Sequence, residues 1–231
     1  MVLVSGGTGG LGRAVTLAFL QEGADVVVTY QKQSELDALK DAAQEHSSRL
    51  DGHKIDVTDE VAVSALVDDT LQKHRKLDAL ANTVGGYAGG LKLWEMDAKV
   101  FDQMLQLNLR SGFALSRAVV PAMLKQGHGA IVNVAAKAAI DHAAGASAYA
   151  SSKAAAVALM DCLAADLMGT GVRVNSILPS IIDTPANRAA MPDADFSSWP
   201  KPEELARVIL FLCSDDSSAV HGAAVPVYGS R

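Results

Sequence analysis

Short runs of consecutive apolar residues alternate with helix-like segments along almost the whole chain. The runs are apolar at every position rather than at every second one, which is typical of strands buried on both faces. Strands separated by helices pair in parallel, and the helices then cover both faces of the sheet. The pattern therefore predicts an α/β fold with a doubly wound parallel sheet of about seven strands.

Seven strands and five helices follow from this pattern. The strands are predicted at residues 2–5, 24–29, 52–57, 77–82, 129–135, 172–178 and 222–227. The helices are predicted at residues 11–21, 34–45, 59–73, 97–125 and 147–167, with Ser34 capping the second and Thr58 opening the third. Pro121 should bend the far end of the fourth.

Ligands of such sheets bind beyond the carboxyl ends of the strands. The loops to inspect are therefore 5–12, 30–33, 56–58, 83–92, 136–148 and 179–200. The last is a long irregular stretch rich in Pro, Asp and Ser, and we interpret it as a substrate lid.

Length and composition narrow the class of protein. With 231 residues, of which 49% are hydrophobic, we expect one domain over residues 1–231. The net charge of −6 and the lack of a long basic run argue against nucleic acid as a partner. We find no signal peptide and no apolar run of membrane-spanning length, so we expect a cytoplasmic protein without membrane contact. Cys162 and Cys213 lack metal-ligand spacing, which predicts buried thiols and no metal site.

A glycine-rich loop joins the first strand to the first helix. Its spacing is G-x-x-x-G-x-G, between a buried strand and a helix N-terminus. Glycines allow the backbone to approach a pyrophosphate, and the helix supplies amide donors. The loop predicts a Rossmann-type nucleotide site whose contacts are Ser5, Gly6, Thr8, Gly10, Leu11 and Gly12.

The end of the second strand should meet the adenosine ribose of the nucleotide. An acid there favours NAD(H), but this chain carries Tyr30, followed closely by Lys32. This favours NADP(H), with NAD(H) as the alternative. Asp56, followed by Val57, either accepts a hydrogen bond from the adenine or simply opens the third helix.

Tyr149 and Lys153 form a Y-x-x-x-K pair on one face of a predicted helix. A lysine ammonium beside a phenol stabilises the phenolate, so we expect it to lower the Tyr149 pKa from about 10 toward neutrality. The tyrosine can then exchange the proton that accompanies hydride transfer.

Taken in order along the chain, these motifs resemble the short-chain dehydrogenases/reductases. The resemblance implies that Tyr149 is the acid/base, that Lys153 binds the nicotinamide ribose and that Asn108 holds a water in a proton relay. It implies a loop after the sixth strand that holds the nicotinamide, and a dimer or tetramer. The further cofactor contacts that it implies are Asn82, Gly85, Pro179, Ile182 and Thr184.

The chain departs from the family pattern at several positions. The family usually has a serine thirteen residues before the tyrosine, and here that position is Ala136. Losing such a donor to a carbonyl typically costs about 10² to 10³ in rate. Where the family usually has Pro-Gly, this chain has Pro179-Ser180.

Three segments on the substrate side resemble one branch of the family, the quinoid dihydropteridine reductases. They are residues 84–90, 135–139 and 178–199. That branch also has alanine in place of the serine, and its electron-poor C=N substrate gains less from a polarising hydroxyl. The resemblance implies a substrate site that includes Tyr87, Ala136, Ser180 and Asn187.

Three hypotheses follow. The first is hydride transfer from NAD(P)H to a quinonoid dihydropterin-like small molecule. The second is a ketone or 3-oxoacyl reductase, which needs a substitute donor such as Ser147 or Ser180. The third is a non-catalytic nucleotide-binding sensor or partner subunit, against which the retention of Tyr149 and Lys153 argues.

Overall fold

All seven strands form one parallel sheet in the computed structural model, which describes residues 1–229. The strand order is β3-β2-β1-β4-β5-β6-β7, so the winding reverses between β1 and β4. The strands are β1 Val2–Ser5, β2 Val26–Tyr30, β3 Leu50–Lys54, β4 Ala79–Asn82, β5 Gly129–Val134, β6 Val172–Pro179 and β7 Ala223–Val227. The predicted fold class is confirmed, and the reversal marks where a ligand crevice forms.

Helices cover both faces of this sheet. They are α1 Gly10–Gln21, α2 Gln33–Ala43, α3 Glu60–His74, α4 Ala98–Leu105, α5 Ser111–Gln126, α6 Ser147–Asp166, α7 Pro185–Ala190 and α8 Pro202–Cys213. A single π-helical turn, Gln106–Arg110, joins α4 to α5. The long predicted helix at 97–125 is therefore continuous but contains a bulge, and Pro121 lies inside α5.

Alternate residues of β1 pack into two separate cores. Val2 and Val4 pack on α1, α2 and α8, whereas Leu3 packs on α3, α5 and α6. Such a strand has no polar face, which explains its unbroken apolar sequence.

Several predicted boundaries were wrong. Helix α8 was missed, although it covers one face of the sheet with Leu205 and Ile209. The predicted lid at 179–200 contains helix α7, which Thr184 caps by accepting a hydrogen bond from Asn187 N. The cap of α3 is Asp59 rather than Thr58, and Ser34 lies inside α2 rather than before it.

The two cysteines differ in exposure. Cys162 is exposed, contrary to the prediction, because it lies on the outer face of α6. Burial raises the pKa of the Cys213 thiol to about 12. Within residues 1–229, no helix is long and apolar enough to span a bilayer, and no cluster of His, Cys, Asp or Glu could hold a metal ion.

Candidate active site

A cavity of about 430 Å³ opens where the strand order reverses, between the glycine-rich loop and the segment that follows β6. Helix α1 points its N-terminus at this cavity and has no side-chain cap. Uncapped amides and the positive end of the helix dipole suit a pyrophosphate. The lining residues are Gly6, Gly9, Gly10, Leu11, Gly12, Thr83, Gly85, Ile182, Thr184, Pro185, Ala186 and Asn187.

The loop has this shape only because of its glycines. Gly6 has φ of +67°, a conformation that other residues rarely adopt. A Cβ at Gly12 would overlap the Gly6 carbonyl oxygen and lie 2.7 Å from Thr83 Oγ1. A Cβ at Gly10 would lie 2.9 Å from Thr184 Cγ2, another residue that lines the cavity. The residues present therefore fit a dinucleotide.

Two predicted contacts, Ser5 and Asn82, are buried below the loop and do not line the cavity. Ser5 Oγ donates to Asn82 Oδ1 at 2.6 Å, and Asn82 Nδ2 donates to Asn133 Oδ1 at 2.8 Å. Thr83 Oγ1 donates to the Ser5 carbonyl at 2.6 Å. These side chains bond the carboxyl ends of β1, β4 and β5 to one another and so support the loop.

The first turn of α2, just after β2, contains an acid that the sequence interpretation overlooked. Glu35 Oε1 pairs with Lys32 Nζ at 3.2 Å, and Glu35 Oε2 accepts from Thr8 Oγ1 at 3.2 Å. The Tyr30 hydroxyl donates to Gln33 Oε1 at 2.7 Å. The Lys32 side chain is 74% exposed, and the carboxylate of Glu35 partly neutralises its charge.

Asp56 forms a local turn with Thr58 just before α3, whose N-cap is Asp59. Its Oδ1 accepts from Thr58 N at 2.9 Å and from Thr58 Oγ1 at 2.8 Å. Strand β3 ends at Lys54, so Asp56 and Val57 follow the strand rather than end it. Val57 is buried in the core.

Tyr149 and Lys153 lie one turn apart on α6, in environments that shift both pKa values. Lys153 is buried, and its Nζ donates to the Val134 carbonyl at 2.9 Å. Burial lowers the pKa of Lys153 to about 8. Burial, and then the neighbouring Tyr87, raise the pKa of Tyr149 to about 12. The expected lowering of the Tyr149 pKa is absent here, because desolvation of the phenol dominates.

Asn108 lies in the π-helical turn and connects three parts of the site. Its Oδ1 accepts from Gly86 N at 2.9 Å, and its Nδ2 donates to the Gly86 carbonyl at 3.0 Å and to Ser152 Oγ at 2.9 Å. A Cβ at Gly85 would lie 2.9 Å from both Asn108 Oδ1 and Lys153 Nζ. The π bulge thus places this amide against the loop after β4 and against α6.

The substrate side of Tyr149 has one aromatic neighbour and no serine. The rings of Tyr87 and Tyr149 meet edge to face, with centroids 5.0 Å apart and planes at 73°. Ala136 is buried and carries no hydroxyl. The structure therefore brings Tyr87 to the predicted catalytic tyrosine.

The segment after β6 is tied to its surroundings. Pro179 is the last residue of β6, and Ser180 Oγ donates to the Tyr228 carbonyl at 3.0 Å. Asn187 Nδ2 donates to the Ile182 carbonyl at 2.8 Å. Asn187 lines the same cavity as the glycine-rich loop.

Four lining residues, Gly9, Thr83, Pro185 and Ala186, were not predicted. Thr83 directly follows Asn82 at a strand end, and this position could have identified it. Pro185 and Ala186 begin α7, inside a stretch that we predicted to be irregular. Taken together, a dinucleotide cradle beside a buried lysine and a protonated tyrosine defines a nicotinamide-dependent oxidoreductase.

Sequence comparison identifies the family. The profile described as short chain dehydrogenase matches residues 1–195. The 3-oxoacyl-(acyl-carrier-protein) reductase of Thermotoga maritima is 35% identical over 98% of this chain and 95% of its own length. The 7alpha-hydroxysteroid dehydrogenase of Escherichia coli K12 is 33% identical over 98% of this chain and 92% of its own. The chain belongs to the short-chain dehydrogenase family and is an NAD(P)-dependent oxidoreductase.

Solved structures share the whole fold. ElxO with NADP bound superposes with a TM-score of 0.92, at 24% identity over 98% of this chain and 96% of its own. A variant of the actinorhodin polyketide ketoreductase with NADPH superposes with a TM-score of 0.90, at 26% identity over 99% of this chain and 95% of its own. The two relatives named above are a 3-oxoacyl reductase and a hydroxysteroid dehydrogenase, and neither is a dihydropteridine reductase.

Proposed function

We propose that this protein reduces the ketone of a 3-oxoacyl-type substrate, with Tyr149 as the proton donor. The observation that carries the proposal is the placement of Tyr149 on α6, one turn before the buried Lys153, where burial raises the Tyr149 pKa to about 12. A reductase needs its acid protonated at the start of the reaction. The similarity to an oxoacyl reductase over nearly the full length supports the same substrate class.

When bound, the nicotinamide supplies the hydride to the carbonyl carbon. As the carbonyl π electrons move onto oxygen, the Tyr149 hydroxyl donates its proton to that oxygen, and an alcohol forms. The resulting phenolate is stabilised by the Lys153 ammonium. Lys153 donates to the Val134 carbonyl with one of its three protons and keeps the others for the ribose and for proton return.

Asn108 is proposed as a positioning residue in this reaction. Its amide holds Gly86 and Ser152, so it fixes the loop after β4 against α6. Because a Cβ at Gly85 would lie 2.9 Å from both Asn108 Oδ1 and Lys153 Nζ, the glycine leaves room for both side chains. The proposed nicotinamide contacts after β6 are Pro179, Ile182 and Thr184.

The second candidate function is reduction of an electron-poor C=N bond, as in a quinonoid dihydropterin. Ala136 favours it, because an already activated acceptor needs no second hydroxyl to polarise it. Tyr149 would then protonate the ring nitrogen.

For the cofactor we propose a preference for NADPH, with NADH also accepted. Lys32 is the cation at the end of β2, and a 2′-phosphate offers it a stronger partner than the single carboxylate of Glu35. No acid occupies the last position of β2, which is Tyr30.

The test is nicotinamide oxidation by the purified protein. A 3-oxoacyl thioester and a quinonoid dihydropterin, generated in situ, are each supplied with NADPH or NADH, to wild type and to Tyr149→Phe. We expect turnover of the thioester that falls by at least about 10³ in the variant, while nucleotide binding is unchanged. Turnover of the pterin alone would establish the second candidate. Nucleotide binding without any turnover would favour a non-catalytic sensor or partner subunit.

A further inference from the structure

The proposed ketone reduction leaves one requirement open. A carbonyl that accepts a hydride develops negative charge on oxygen, and two donors stabilise it better than one. Tyr149 is the first donor, and Ala136 cannot be the second. The alternatives named from the sequence are also weak, since Ser180 Oγ already donates to the Tyr228 carbonyl. Ser147 Oγ has no hydrogen-bond partner and is buried away from solvent, where a substrate does not reach it.

Tyr87 is held at the site by anchors on both sides. On one side, the Asn108 amide bonds both the N–H and the carbonyl of Gly86. On the other, Gly90 N donates to the Gly145 carbonyl at 2.9 Å. The short segment between them is thus fixed at both ends, so Tyr87 is positioned although the residue is 69% exposed.

The phenol of Tyr87 has a defined place within this segment. Its ring edge packs on the Tyr149 ring, with centroids 5.0 Å apart. It lies so close to Gly89 that a Cβ there would overlap the hydroxyl and lie 2.6 Å from Cζ. A glycine at this position is therefore what allows the phenol to lie beside Tyr149.

We propose that the Tyr87 hydroxyl is the second hydrogen-bond donor to the substrate carbonyl oxygen, in the role that Ala136 cannot fill. This inference rests on the proposed function. The hydroxyl of a phenol can donate a hydrogen bond to a carbonyl oxygen. Substrate that covers the exposed ring removes water from the hydroxyl, which strengthens the bond.

The first experiment compares wild type with Tyr87→Phe, which keeps the ring and removes only the hydroxyl. We expect kcat for the 3-oxoacyl thioester to fall about 100-fold, and Kd for NADPH to stay unchanged. With an electron-poor C=N acceptor the same variant should lose less than about threefold, because that acceptor needs no polarising donor. The melting temperature checks that the variant folds as wild type does.

The matched control introduces a hydroxyl at position 136. Ala136→Ser in the Tyr87→Phe background should recover at least about tenfold in kcat. Gly89→Ala should lower kcat in the wild-type background by displacing the phenol, but should add no loss to Tyr87→Phe, since the hydroxyl is already gone.

Three results decide the question. Loss in Tyr87→Phe with recovery by Ala136→Ser supports the proposal. Thioester turnover that stays within threefold in Tyr87→Phe overturns it and leaves the proposed function standing. Wild type that binds NADPH but reduces no 3-oxoacyl thioester overturns both.

Discussion

At the residue scale, Lys153 combines two requirements that oppose each other. The Lys153 side chain is useful for catalysis only in its charged ammonium form. Burial disfavours that form and lowers the Lys153 pKa to about 8. The single hydrogen bond to the Val134 carbonyl offsets only part of the desolvation. Burial of Lys153 in the site therefore lowers the stability of the fold, as is common for functional residues.

Lys153→Met should make the protein more stable and inactive. At pH 7 the shift of the Lys153 pKa from 10.5 to about 8 corresponds to about 3 kcal/mol. Loss of the hydrogen bond to Val134 costs about 1 kcal/mol of stability. We therefore expect the free energy of unfolding, measured in urea, to rise by a net of about 2 kcal/mol.

The pH dependence of the same experiment has a definite sign. The unfolded chain binds the Lys153 proton more tightly than the folded chain does, so the free energy of unfolding should rise with pH between about 8 and 10.5. The methionine variant lacks this rise. Parallel curves for the two proteins from pH 7 to pH 9.5 would contradict the burial of a charged lysine.

Lys32 and Glu35 should set the cofactor preference in opposite directions. Lys32→Ala should weaken NADPH binding about tenfold and NADH binding less than twofold, since only the former carries a 2′-phosphate. Glu35→Gln frees Lys32 and should tighten NADPH binding about fivefold. Isothermal titration with both nucleotides measures this, and Lys40→Ala on the same helix is the control. Equal changes for both nucleotides would show that Lys32 does not meet the 2′ position.

At the element scale, the glycine-rich loop and the π-helical turn hold the site from opposite sides. The loop folds against Thr83 and the end of β1 through hydrogen bonds from Thr83 Oγ1. The turn at Gln106–Arg110 places Asn108 where a regular helix would rotate it away. The cavity is lined by the loop after β1, the loop after β4 and the segment after β6, and Asn108 reaches it only through its hydrogen bonds to Gly86.

Two neighbouring glycines of the loop should respond differently to alanine. At Gly12 a Cβ would overlap the Gly6 carbonyl, whereas at Gly9 its nearest neighbour is that oxygen at 3.4 Å. We expect Gly12→Ala to weaken NADPH binding by at least 100-fold through distortion of the loop, and Gly9→Ala by less than tenfold. Fluorescence titration of the nucleotide measures both, and similar affinities for the two variants would exclude a steric role of Gly12.

At the scale of the whole molecule, one sheet connects all parts of the site. The nucleotide cavity, Tyr149 and the segment after β6 lie at the same edge, where the winding reverses. Ligand binding therefore stabilises elements from both ends of the chain. We also propose self-association through α5 and α6, where α5 exposes Phe113 and Leu124.

NADPH should raise the melting temperature in one cooperative transition. At 100 times its Kd the nucleotide stabilises the folded state by about 2.7 kcal/mol, or about 5 to 10 °C for a chain of this size. Scanning calorimetry should show equal calorimetric and van't Hoff enthalpies at a fixed protein concentration. Two separate transitions would contradict a single domain over residues 1–231.

The fold could be predicted because its signals are local. Unbroken apolar strands, glycines between a strand and a helix, and helical spacing between Tyr149 and Lys153 each depend on a few neighbouring residues. Helix α8 was missed because its apolar face could be interpreted only once the sheet that it covers was known. Helix α7 was missed because it is only six residues long.

By itself, therefore, the sequence determined the class of fold, and it pointed to the proposed nucleotide loop and to the proposed Tyr149–Lys153 pair. Only the tertiary structure decided the burial that shifts the pKa values of that pair, the pairing of Lys32 with Glu35, and the contact of Tyr87 with Tyr149. The reason is physical. Local propensity acts through bonded neighbours, whereas pKa values and side-chain contacts depend on burial and on charges that distant segments bring together.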